Sequence, residues 1–166
     1  MKNVKTLLFS FLAIGFMVAC GGGNTETEST KTESATEAPK ELSTDPKGIG
    51  AVTNVELTDP LNEDMIAQGK GIYEMKCSAC HKLTDQRVVG PGFSGVTNRR
   101  APEWIMNMIM NVDVMLEEDA QARKLLEECL TRMPNQGVDQ ESARSIVEFM
   151  RNNDMETVGK KDEAVI

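Results

Sequence analysis

The chain has 166 residues, a formal charge of −8 and only 4% aromatic residues. Such acidity leaves no basic face for nucleic acid, and an aromatic-poor chain has difficulty building a stable core from its own side chains. Eleven methionines, four cysteines and a single histidine are the features that ask for a chemical explanation.

Residues 1–19 read as an export signal. Lys2 and Lys5 make a basic start, and Leu7 to Val18 is an apolar run of signal-core length, short for a membrane span. Next comes Met17-Val18-Ala19-Cys20, a small residue directly before a cysteine. It resembles a bacterial lipobox, which implies acylation of Cys20 as the first residue of the mature protein. Ordinary signal cleavage with Cys20 incidental is one alternative, and an uncleaved anchor is another. Residues 20–53 are expected to be the lipidated cysteine and an acidic tether. Within them, residues 21–47 hold Gly, Thr, Glu and Ser with Pro39 and Pro46, and Leu42 is nearly the only apolar side chain. Such a stretch cannot offset its ordering entropy by burial. As a flexible chain it would span roughly 30 Å. Residues 54–166 are expected to form one small domain.

Within that domain the apolar spacing is helical throughout, and no stretch alternates as a strand does, so the fold class is all-α. A first helix is predicted from Asn62 to Lys76, with Met65, Ile66, Gly69, Ile72 and Tyr73 on one face. Gly69 costs helix stability there, which a second helix crossing closely over it would explain. Cys77-Ser78-Ala79-Cys80-His81 comes next, then a loop to Arg100 containing Gly90-Pro91-Gly92. Pro102 opens a second helix, Pro102–Asn111, with Trp104, Ile105, Met108 and Ile109 inward. A third helix is predicted from Glu117 to Leu130, with acids at its start and Cys129 on its inner face as a buried, inert thiol. After a loop holding Met133-Pro134, Asp139 caps a last helix, Asp139–Asn152. The tail beyond Asn153 reads as frayed.

Cys-x-x-Cys-His is the attachment pattern of a c-type haem. Two thiols three apart meet one porphyrin edge, and the histidine beside them can coordinate iron. The chain's sole histidine stands at the one place this pattern needs it. A zinc site would want a second ligand pair, and none exists. A thioredoxin-like pair would want a βαβ setting. A Cys77–Cys80 disulfide leaves His81 without a role. A haem would also supply the large apolar body that the composition lacks, so the apo form should fold poorly.

Over residues 62–152 the pattern resembles class I cytochrome c, the small mono-haem all-α electron carriers. The matching features are Gly69, Tyr73 and Cys77 at four-residue steps, Gly90-Pro91 after the histidine, Met133-Pro134 in a late loop, and Ile146 with Phe149 on the last helix. The resemblance implies terminal helices that cross at the glycine around one covalent haem c. It also implies that the Pro91 carbonyl accepts Nδ1–H of His81, although Pro91 can equally be a simple turn residue. A low-spin carrier needs a second strong axial ligand, and no histidine remains, so methionine is the natural choice. Met133 lies in a loop rather than on an apolar helix face, and Pro134 keeps its backbone out of helix. Met115 is the runner-up. Trp104 is either a donor to a haem propionate or a core anchor, and Arg99 and Arg100 either pair with propionates or are plain exposed charge.

The expected function is single-electron transfer without enzymatic turnover. The alternative is a haem sensor or ligand-binding module with a labile sixth position. A peroxidase would need an open iron with acid–base groups, which the lone histidine does not supply. Expected partners are a quinol-oxidising complex as donor and a terminal oxidase or exported reductase as acceptor. The expected location is the periplasmic side of a bacterial membrane, lipid-anchored through Cys20. The acidic charge favours partners with basic docking patches, or simply keeps an exported protein soluble.

Overall fold

In a computed structural model, residues 41–165 are described. The signal segment, Cys20 and the tether as far as residue 40 lie outside them. Five helices occur in chain order: α1 Glu63–Lys76, α2 Pro102–Met110, α3 Val112–Glu118, α4 Ala120–Cys129 and α5 Gln140–Val158, with a short 3₁₀ turn at Val96–Asn98. Among the described residues the β structure amounts to two isolated bridges, so the all-α class holds.

Helix α1 starts where Asn62 accepts a hydrogen bond from the backbone N–H of Met65 (3.0 Å), which satisfies one of the free donors of the first turn. It crosses α5 at Gly69. A Cβ built there would overlap the carbonyl of Ser145 and come within 2.9 Å of the Phe149 Cβ, so only glycine lets the backbones meet. Tyr73, one turn on, packs against Phe149 (ring centroids 5.4 Å apart) and Phe93 (5.9 Å). The Tyr73 hydroxyl donates to the carbonyl of His81 at 2.8 Å, which ties the crossing to the haem motif.

The helix expected at 117–130 is instead two helices. Asp119 is extended (ψ 127°) and fully buried, and it caps α4 by accepting from Gln121 N (3.0 Å) and Ala122 N (2.8 Å). Of the three acids expected at one helix start, Glu117 and Glu118 close α3, and Asp119 alone caps α4. Helix α5 is longer than expected, ending at Gly159 in the left-handed region (φ 71°). The tail beyond it is not frayed. Arg151, 2% exposed, reaches Asp162 at 2.8 Å, and the fully buried Asp154 accepts from Gly95 N (2.7 Å) and Thr97 N (2.8 Å).

The tether does not extend to residue 53. Residues 43–62 form a strap across α2, α3 and α5. Ser43 pairs with the α3–α4 junction (Ser43 N to Glu118 O 2.7 Å, Ala120 N to Ser43 O 2.9 Å). Asn107 accepts from Val52 N (3.1 Å) and donates to the carbonyls of Val52 (2.9 Å) and Lys47 (3.0 Å). Glu103 takes Val55 N (3.1 Å) and Lys47 Nζ (3.2 Å). Glu148, fully buried, takes Thr58 Oγ1 (2.8 Å) and Asn62 N (2.9 Å), with Arg144 and Arg151 as its counter-charges at 2.6 and 2.8 Å. Composition forecasts disorder here because it counts apolar burial only. The strap is held by buried polar side chains on helices that come later in the chain, and by Val52 in the core with Ile49, Val55 and Leu57 packed against it.

Candidate haem site

The strap covers the polar side of α2 and α5, and a cavity of about 470 Å³ opens on their apolar side. Ile105, Met108 and Ile109 of α2 and Ile146 and Met150 of α5 wall it, and Leu125 of α4 closes a further side. Cys77, Cys80, His81, Pro91 and Met133 all line it. Met115 does not. It is fully buried beneath the strap, where its sulfur accepts from Ile49 N at 3.1 Å.

The motif sits at the end of α1, where the chain stays tightly wound: Cys80 N and His81 N both donate to the carbonyl of Cys77 (3.1 and 2.9 Å). That turn brings both thiols to one wall. Cys77, Cys80 and Cys129 are free thiols. Burial is the main cause that raises the pKa of Cys77, with Lys76 opposing and Cys80 assisting. His81 Nδ1 lies 2.8 Å from the carbonyl of Pro91. A carbonyl only accepts, so Nδ1 carries the proton and Nε2 keeps a lone pair. Burial lowers the imidazole pKa below its ordinary 6.5, against the Pro91 bond, which raises it. The ring is therefore neutral at neutral pH, as a metal ligand must be. Phe93 stacks on it (centroids 4.6 Å apart, planes at 23°). A Cβ at Gly90 would overlap the imidazole, so glycine is required where the loop passes the ring.

These residues fit a c-type haem: two thiols, a neutral imidazole with a free nitrogen, a thioether and apolar walls on one cavity. Trp104 lines the cavity too, but its indole N–H is taken by Asp119 Oδ1 at 3.2 Å, so it is a core anchor. The cations at this wall are Arg99, which donates to Ser94 O (2.6 Å), Arg100, whose guanidinium lies 5.0 Å from the Trp104 ring centre, and Arg132 beside Met133. Burial, followed by repulsion from Arg99, lowers the Arg100 pKa. Arg99 is exposed and Arg100 half-buried; cations beside an otherwise apolar wall favour a ligand with carboxylates. Cys129 is half-buried and faces the cavity, not the interior of a helix packing. Sequence reasoning missed Phe93, Asp119 and the need for glycine at position 90. An aromatic two residues after Pro91 was the available signal for the first.

The family model for cytochrome c matches residues 66–154. No curated protein sequence matches the chain. Among solved structures, cytochrome c from Rhodothermus marinus is 32% identical, covering 67% of this chain and 95% of its own, with a TM-score of 0.64. An engineered form of that protein is 32% identical with a TM-score of 0.63, covering 66% of this chain and 98% of its own. The same engineered form bound to a carbene intermediate is 31% identical over the same shares with a TM-score of 0.60. With the motif on one wall of an apolar cavity and the terminal helices crossing at Gly69, the chain belongs to the cytochrome c family, as a class I mono-haem member whose prosthetic group is one covalently bound haem c.

Proposed function

We propose that this protein is a one-electron carrier, not an enzyme, with His81 and Met133 as the two axial ligands of its haem and with Cys77 and Cys80 as its covalent attachments. The observation that supports this most is that one apolar cavity is lined by both thiols, by a neutral His81 and by Met133. The haem supplies one-electron cycling between ferric and ferrous iron. The chain's residues set the terms of that cycling. Pro91 fixes the tautomer and orientation of His81. The Met133 thioether favours the ferrous state and raises the potential. The apolar walls act the same way, by disfavouring the extra charge of ferric iron. Arg99 and Arg100 balance the propionates. With His81 and Met133 both holding the iron, no site would be left open for a substrate.

The edge carrying Cys77 and Cys80 is the proposed route for electrons. Proposed partners are a quinol-oxidising complex as donor and a terminal oxidase or exported reductase as acceptor. Acylation at Cys20 would hold the domain beside a membrane on the periplasmic side and raise its effective concentration near such partners. No helix among the described residues is long and apolar enough to cross a membrane. The acidic chain favours basic docking surfaces, and association should weaken with salt.

Met133→Ala tests the reading. Reduced Met133→Ala protein should take up carbon monoxide promptly, which the parent should not, and its midpoint potential should be markedly lower than the parent's. A Met133→Ala protein with the parent's potential and no carbon monoxide binding would remove Met133 from the iron.

A further inference from the structure

The stretch that carries Met133, Thr131 to Val138, joins no helix or strand. The hydrogen bonds within the loop are short-range, Gln136 Nε2 to Pro134 O and Gly137 N to Asn135 Oδ1. Leu130, just before it, has positive φ (57°) and an 88% exposed side chain, so no apolar anchor holds that end. What links the loop to its surroundings, apart from packing by Met133 and Val138, is two cationic side chains, Arg132 and Lys76, while a third, Arg87, ties down the last turn of α4 that leads into it. Arg132 reaches Asp113 (2.9 Å) and Glu117 (3.4 Å) of α3. Lys76, the residue before Cys77, donates to the carbonyl of Gln136 at 2.9 Å. Arg87 donates to both the carbonyl (3.0 Å) and the carboxylate (2.9 Å) of Glu128, in the last turn of α4. The backbone of Arg87 is itself bridged to that of His81. A continuous mechanical link therefore runs from His81 through Arg87 and Glu128 to the segment bearing Met133.

We infer that Arg87, Lys76 and Arg132 are positioning residues for the sixth axial ligand: they hold the Met133 loop closed over the cavity and set how readily that position opens to an outside ligand. This rests on the reading of Met133 as the ligand. An incoming ligand binds only the open form, so its apparent affinity scales with the open fraction. The ties are exposed, with Arg87 and Glu128 at 46% and 40% and Arg132 at 45%. Each one shifts the open–closed balance by at most about fivefold, and salt screens them all. The walls of the cavity are mainly apolar, whereas the latch over its sixth position is electrostatic.

The test is imidazole titration of the ferric holoprotein, with the methionine-to-ferric charge-transfer band followed in the same samples. R87Q, K76Q and R132Q should each bind imidazole about two- to fivefold more tightly than the parent. R87Q/K76Q should bind about tenfold more tightly, because separate ties add in free energy. The charge-transfer band should weaken in the same order. K160Q, which breaks the exposed Lys160–Glu163 pair of the tail (2.6 Å), should match the parent. Raising salt should move the parent towards R87Q/K76Q and leave R87Q/K76Q itself nearly unmoved. The inference is overturned if R87Q/K76Q binds imidazole as the parent does with its band intact, or if K160Q gains as much. Met133→Ala separates the two failures. Tight imidazole binding by Met133→Ala with inert ties sinks the latch alone, and weak binding by Met133→Ala sinks the ligand assignment beneath it.

Discussion

Helices α2 and α5 each present two buried faces, and the two are built from opposite materials. On one side Ile105, Met108, Ile109, Ile146 and Met150 wall the haem cavity. On the other, Glu103, Asn107, Glu148 and Arg151 are buried and hold the strap, each 5% exposed or less. The apolar face lacks a partner in the amino-acid inventory, and a large flat cofactor completes it. The polar face has its partner in the chain itself, in the backbone N–H and carbonyl groups of residues 47–62. One face is stabilised by burial of area and tolerates smooth changes in shape. The other is stabilised by matched donors and acceptors, and loses heavily when any one of them is left unpaired.

The contrast is sharpest when each face loses its partner. A Cys77→Ala/Cys80→Ala protein, unable to hold haem covalently, should lose the cooperative thermal transition altogether, because the apolar face would open to water. Calorimetry of that variant beside the holoprotein checks this. A haemless protein that melts cooperatively near the parent's temperature would show that the core stands by itself.

On the polar face the largest loss is expected at Glu148. Glu148→Ala leaves the Arg151 guanidinium buried beside an empty site and should cost about 3–5 kcal/mol, read from urea unfolding. The same residue predicts a pH dependence. Burial raises its pKa, yet bonds from Asn62, Arg144, Thr58 and Arg151 more than reverse that and hold it at about 2, below its ordinary 4.5. The folded value lies below the unfolded one, so this contribution is complete above pH 4.5 and is lost as pH falls from 4.5 towards 2. Glu148→Gln should flatten the stability profile in that window. An unchanged acid limb would place the titration elsewhere.

Smaller effects test the joints between the faces. Gly69→Ala forces a methyl into the Ser145 carbonyl at the α1–α5 crossing and should cost about 1–3 kcal/mol, with a lower melting temperature and an unchanged haem spectrum. Lys47→Ala removes one charged contact to Glu103, which keeps Val55 N as a donor, and should cost about 1 kcal/mol or less. Hydrogen exchange at Val52 and Val55 reports whether the strap loosens with it.

What could be read from the sequence divides along the same line. The CSACH motif, the Gly69–Tyr73–Cys77 stripe and the Ile146–Phe149 pair announce themselves by fixed spacing, because an apolar face repeats every three to four residues. Met133 stands out in the sequence as a methionine off any helix face, and it lines the cavity together with Met108 and Met150. The strap has no period. Its partners, Asn107 and Glu148, lie far away in sequence and look like ordinary helix surface until the fold places them. The break at Asp119 is hidden for a related reason. Three consecutive acids look like one helix start, and only the buried Trp104 N–H and the Ser43 pairing single out which of them is the cap.

The most direct test lies in the cavity's methionines. Met108, Met133 and Met150 all line it, and one of them is assigned to the iron. A methionine on ferrous low-spin haem has its S-methyl proton resonance driven far upfield by the porphyrin ring current. This resonance should persist in Met108→Leu and Met150→Leu and vanish in Met133→Leu. An upfield methyl that survives Met133→Leu would contradict the ligand assignment.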